Sequence, residues 1–102
     1  MATHSTAWYC NRMLMREAVG YTIREMRTEQ QLYGITVASL ANVSVAHLSD
    51  TERGHKEMSS ELLERVASAL GVTVGQILAR AGEVMTELDR LTGELDRPTV
   101  VV

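Results

Sequence analysis

The chain is short of the materials from which several classes of protein are made. One cysteine, Cys10, stands among 102 residues, which excludes an internal disulfide, and no Cys and His cluster occurs at metal-ligand spacing. There is no Phe, one Trp, three Tyr and one Pro, and the β-branched runs are short, so a sheet has little to be built from. No apolar run approaches the roughly 18 residues of a membrane span, and the opening MATHSTAWYC lacks the basic start and apolar core of a signal peptide. No triad-like spacing or pocket composition marks a catalytic centre. The expectation is a cytoplasmic protein with no catalytic residue, no metal, no cofactor and no membrane partner.

What is present points to helices. Leu, Ala, Glu, Arg and Met are abundant, all good helix formers, and the length suits one domain with a modest core. An all-α fold follows. The net charge of −3 argues at first against a polyanionic partner. Its distribution answers the objection, because residues 1–80 hold eight acids and eight bases, whereas from Ala81 onward there are five acids and two bases. The body is neutral and the acid lies in the C-terminal part.

Five helices are legible. Residues 1–12 show no periodicity and read as a flexible arm whose large apolar groups are Trp8 and Tyr9. Val19, Ile23, Met26 and Gln30 give a first helix from Leu14 to about Gln31. Val37, Ala38 and Ala41 mark a short second one, starting near Gly34 or at Thr36 and stopping at Asn42, which suits left-handed backbone. Ser44 is an N-cap for a third helix through about Glu52, closed by Gly54. Ser59 or Ser60 caps a fourth, with Glu61 in its first turn and Gly71 at its end. Thr73 and Gln76 form a capping box for the fifth, along which Ile77, Ala81, Val84, Leu88, Leu91 and Leu95 repeat in steps of four and three as a heptad seam. Ile77 and Leu78 are expected to finish the domain's own core, and the six Met, among them Met13, Met15, Met26 and Met85, to act as adaptable core filler.

Two short helices joined by a tight turn form a helix-turn-helix unit or a plain small bundle. The stretch VASLANVSVAHLSDTERGHKEMSSELLERVASALGV resembles the lambda-repressor-like, or xenobiotic-response-element, helix-turn-helix family. MREAVGYTIREMRTEQ and HLSDTERGHKEMSSELL further resemble the actinobacterial regulators of Clp protease genes. The resemblance implies a five-helix lambda-repressor-like DNA-binding domain with an extended C-terminal dimerisation helix. It also implies that the third helix enters the major groove of a double-stranded operator. The DNA-binding positions then become Ser44, Val45, Ala46, His47, Ser49 and Asp50, with Arg53, His55 and Lys56 near phosphates. His47 and Ser49 can donate or accept, Val45 and Ala46 suit a thymine methyl, and Asp50 can accept from a cytosine amine. A solvated surface is the ordinary alternative for His47, His55 and Lys56. By resemblance Glu52 pairs with Arg27 of the first helix as a structural salt bridge, and Leu48 points into the core.

The chain departs from the family pattern where a Ser or Thr cap and a phosphate-binding Gln usually open the second helix. Here stand Tyr33 and Gly34, with Ile35 and Leu40 at positions that are normally polar. The expected organisation is an arm over 1–12, a DNA-binding domain over 13–80, a dimerisation helix over 81–97 and an apolar tail over 98–102. Val84, Leu88, Leu91 and Leu95, lying beyond any partner within the chain, are expected to form the homodimer interface, the alternative being that this seam packs against the N-terminal arm of its own chain. The resemblance adds an activator role in stress and protease gene control, with RNA polymerase and Clp protease as further partners. The competing reading is a protein-interaction module, antitoxin or adaptor, using the fold with weak DNA reading or none.

Overall fold

The structure, a computed structural model, describes residues 13–96, with side chains described as far as Leu91. Trp8, Tyr9, the rest of the arm and the apolar tail lie outside the described residues. Helices α1 (Met15–Glu29), α2 (Gly34–Ala41), α3 (Val45–Glu52), α4 (Ser60–Leu70) and α5 (Val74–Asp96) follow one another along the described residues, with no strand among them. No single helix is long and apolar enough to cross a membrane.

The ends of the first four helices share one device. Gln31, Asn42, Gly54 and Gly71 all adopt positive φ, between 57° and 78°. In each case the next amide reaches back to a carbonyl of the last turn: Leu32 to Arg27 at 3.0 Å, and Val43 to Ala38, His55 to Asp50 and Val72 to Ala67 at 2.9 Å. This satisfies carbonyls that a helix end leaves open and turns the chain sharply. Gln31 does so without being glycine, which shortens α1 to Glu29 from the expected Gln31. The starts are equally local. Ser44 and Ser59 accept from the amides of His47 and Leu62, and Thr73 and Gln76 exchange both bonds of their box. Ser59, not Ser60, is therefore the cap of α4, and α2 begins at Gly34 rather than Thr36, with no side-chain cap from Tyr33.

The core is built from Ile23, Met26, Val37, Ala38, Ala41, Leu48, Val66, Ala67, Leu70 and Ile77. Gln30 donates to the Leu70 carbonyl at 2.7 Å and Arg65 to that of Ala41 at 3.0 Å, so α1 is tied to α4 and α4 to α2. At Gly71 the axis turns by 96° from α4 to α5. α5 returns antiparallel to α1, beginning with Arg80 bridging Glu25 and Glu29. Two expectations are corrected. Leu78 is exposed, because the inward stripe of α5 runs through Ile77 and Ala81, one turn apart, and Leu78 is rotated about 100° away from it. Of the methionines, Met26 is core and Met58 packs against it, whereas Met15 is exposed on the outer side of the first turn of α1.

Candidate nucleic-acid interface

α3 has one face that is held and one that is presented. Its inward residues are Leu48 and Thr51, each 1% exposed, and Glu52. Arg27 of α1 grips Glu52 with two parallel bonds, Nε to Oε2 at 2.8 Å and Nη2 to Oε1 at 3.0 Å, while its Nη1 donates to the Leu32 carbonyl at 2.8 Å. A planar guanidinium matched to a carboxylate in this way fixes direction as well as distance. The pair is well sheltered, with side chains 15% and 9% exposed. The hydrogen bonds that Arg27 donates to the Glu52 carboxylate hold its pKa above its ordinary value, so Arg27 keeps its charge.

Two further tethers are absent from the sequence reading. Arg16 Nε donates to the Gly54 carbonyl at 3.1 Å, which anchors the turn after α3. Gly20 of α1 lies directly beneath the carbonyl of Thr51, so close that a Cβ there would overlap the oxygen and stand 2.9 Å from its carbon. In the sequence Gly20 interrupts a helical run, and a glycine in mid-helix is the one available signal of such an approach.

The outward face begins at the cap. Ser44, Val45 and Ala46 are exposed, and the Ser44 hydroxyl accepts from the His47 amide at 3.0 Å. His47 is half-buried, with its Nε2 shielded and without a hydrogen-bond partner among the described residues, so its ring is less available than those of its neighbours. Ser49 and Asp50 are half-exposed, and Arg53 ties them together: Nη1 to Ser49 Oγ and Nη2 to Asp50 Oδ1, both at 2.6 Å. The carboxylate and the guanidinium are thus mutually neutralised in the free protein. His55 and Lys56 are exposed in the following loop. Beside this face α2 shows Tyr33, Ile35 and Leu40 to solvent, at 77%, 64% and 65% exposure, so its departures from the family pattern lie on the surface and not in the core.

Along α5, Val84 and Leu88 are half-buried and Leu91 is exposed, while the side chain of Leu95 is outside the described residues. Val84, Leu88 and Leu91 line a groove with Tyr21 of α1 and with Met13, which precedes that helix. They are therefore not beyond every partner within the chain, because α1 runs alongside. No group of three His, Cys, Asp or Glu able to hold a metal occurs among the described residues.

Comparison with known proteins agrees with this arrangement. The helix-turn-helix family matches residues 23–77, from the middle of α1 to the first turn of α5. Over 78 residues, 76% of this chain and 70% of the relative, the sequence is 42% identical to the transcriptional regulator ClgR of Mycobacterium tuberculosis. A crystal structure of the clp gene regulator ClgR from Corynebacterium glutamicum matches with a TM-score of 0.72 at 36% identity, covering 86% of this chain and 99% of that one. The restriction-modification controller protein C.AhdI of Aeromonas hydrophila matches with a TM-score of 0.60 at 26% identity, over 61% of this chain and 94% of that one. With its capped, tethered α3 and this kinship to ClgR, the chain belongs to the helix-turn-helix family of DNA-binding transcriptional regulators.

Proposed function

We propose that the protein is a cytoplasmic homodimer that reads a double-stranded operator through α3 and activates genes of the Clp protease system and the stress response. The observation that carries the DNA-reading part is the division of α3 into a face gripped by α1 and an open, serine-capped tip. The Clp assignment rests on the similarity to the clp gene regulator ClgR of Corynebacterium glutamicum. Residues 13–80 form the reading unit and 81–97 the dimerisation helix. Val45 and Ala46 meet thymine methyls, and His47, Ser49 and Asp50 meet polar base edges once Arg53 turns from Asp50 to a phosphate. Ser44, His55 and Lys56 hold the backbone. An activator also contacts RNA polymerase, and the terminal TVVV is of the apolar kind that a Clp protease engages.

Fluorescence anisotropy with operator and random duplexes tests the reading. His47→Ala is expected to weaken operator binding by roughly 1–3 kcal/mol and to leave random-sequence binding nearly unchanged. Lys56→Ala in the same assay should weaken both and lower the salt slope by about one unit. Equal losses on both duplexes for His47→Ala would remove it from the readers.

Dimeric binding places two α3 tips on half-sites roughly 34 Å apart. Leu88→Asp combined with Leu91→Asp should leave a folded monomer by sedimentation, since both positions lie outside the core cluster and charge is costly in an apolar seam. A double variant that still sediments as a dimer moves the interface elsewhere. The adaptor reading is favoured by Gly34 in place of the phosphate-binding Gln and by the self-neutralised Asp50 and Arg53. A salt-dependent shift assay on genomic fragments separates it from a DNA reader, which must select some fragments over others.

A further inference from the structure

α3 carries two acids, Asp50 and Glu52. Glu52 is turned inward to the Arg27 fork, which leaves Asp50 as the carboxylate on the outward side of the helix. Arg53, which closes α3, folds its guanidinium back over the last turn, with Nη1 on Ser49 Oγ and Nη2 on Asp50 Oδ1. A carboxylate facing a polyanion is repelled by every phosphate near it. In the major groove it can only accept, and the cytosine amine is the group that matches it. On a duplex without that amine, Arg53 has two poor choices. Leaving Asp50 for a phosphate strips the carboxylate of its counter-charge, and staying forfeits a phosphate contact. Where the amine is offered, cytosine replaces Arg53 on Asp50, and the guanidinium is freed to bond a phosphate with both arms of its fork. An exposed ion pair is weak enough to exchange partners in this way. The exchange needs only rotation of the Arg53 side chain, because α3 itself is fixed by Arg27.

We propose, on the reading of α3 as the operator-facing helix, that Asp50 withholds Arg53 from the phosphate backbone until a cytosine amine takes its place. One C·G pair in each half-site is thereby sensed twice, in the groove by Asp50 and at the backbone by Arg53. Random sequence is denied the second contact. A phosphate contact, which by itself carries no sequence information, becomes conditional on a base. Ser49 keeps the fork aligned with Asp50 in the free protein by holding its other arm.

The test uses a duplex enriched from a random library by the wild-type protein and a scrambled duplex of equal length, each titrated by fluorescence anisotropy across a salt series. Arg53→Ala is expected to lower the salt slope by about one unit on the enriched duplex and to leave the slope on the scrambled one unchanged. Asp50→Asn, which releases Arg53, should tighten binding to the scrambled duplex roughly fivefold at about 0.15 M salt and steepen its slope by about one unit. Changing the sensed C·G pair to T·A should cost the wild-type protein both affinity and about one unit of slope, and should cost Arg53→Ala affinity alone. Neither residue belongs to the core cluster, so both variants are expected to stay folded by far-UV circular dichroism. Equal slope changes on the two duplexes for Arg53→Ala, or no gain on scrambled DNA for Asp50→Asn, overturn the proposal and leave α3 a reader. Failure to enrich any duplex removes the operator reading itself, and the proposal with it.

Discussion

Gly20→Ala is expected to destabilise the fold by upwards of roughly 3 kcal/mol, seen as a lower urea midpoint and melting temperature. The added Cβ meets backbone on all sides that matter: the Thr51 carbonyl oxygen, its carbon at 2.9 Å and the Glu52 carbonyl carbon at 3.2 Å. No side chain can swing aside to make room. The clash is relieved only if α3 lifts from α1, which strains the Arg27–Glu52 fork and withdraws Leu48 from the core. Gly82→Ala supplies the control, since its Cβ would meet nothing within 4 Å on an exposed turn of α5. There the same change should raise stability by about 0.5–1 kcal/mol through helix propensity. If both variants melt alike, the close approach of α1 to α3 is not fixed.

The second large effect belongs to Arg27 and Glu52. Removing either partner leaves the other sheltered and uncompensated, so Arg27→Ala and Glu52→Ala should each cost about 2–3 kcal/mol, somewhat below the value for fully buried pairs. The double variant should cost clearly less than their sum, with a coupling of about 1 kcal/mol or more in a double-mutant cycle. Arg27→Lys should recover only part of the loss, because a single ammonium cannot make both parallel bonds and also reach Leu32. Additive costs would mean that the fork contributes nothing jointly, and full rescue by Lys would mean that charge alone matters.

Much of the fold is legible in the sequence because its signals are local. Ser44, Ser59, Thr73 with Gln76, Asn42, Gly54 and Gly71 each act within four or five residues, and the structure uses every one of them. Gln31 escaped such reading because nothing in its side chain announces left-handed backbone, which follows from the bond of Leu32 to Arg27. The heptad stripe does not reveal which of the adjacent Ile77 and Leu78 faces inward. That depends on the 96° turn at Gly71. In the site, the tip residues could be placed from the family pattern, but the bridge from Arg53 to Ser49 and Asp50 and the shielding of His47 Nε2 are rotamer facts. Arg16 and Gly20 were missed for a different reason. Their partners, Gly54 and Thr51, are more than thirty residues away and contribute backbone carbonyls, which carry no mark in the sequence.

The separation of gripped and presented faces on α3 has a consequence for how specificity changes over generations. Leu48, Thr51, Glu52 and the Gly54 carbonyl hold the helix against the domain, while Val45 and Ala46 open onto solvent. Mutations at 45 and 46 can therefore drift with little loss of stability, and on the proposed role of these two residues as operator readers the preference of such a protein can be rewritten while its scaffold is inherited unchanged. Duplicated copies would diverge first in which sites they bind and only later in how they fold.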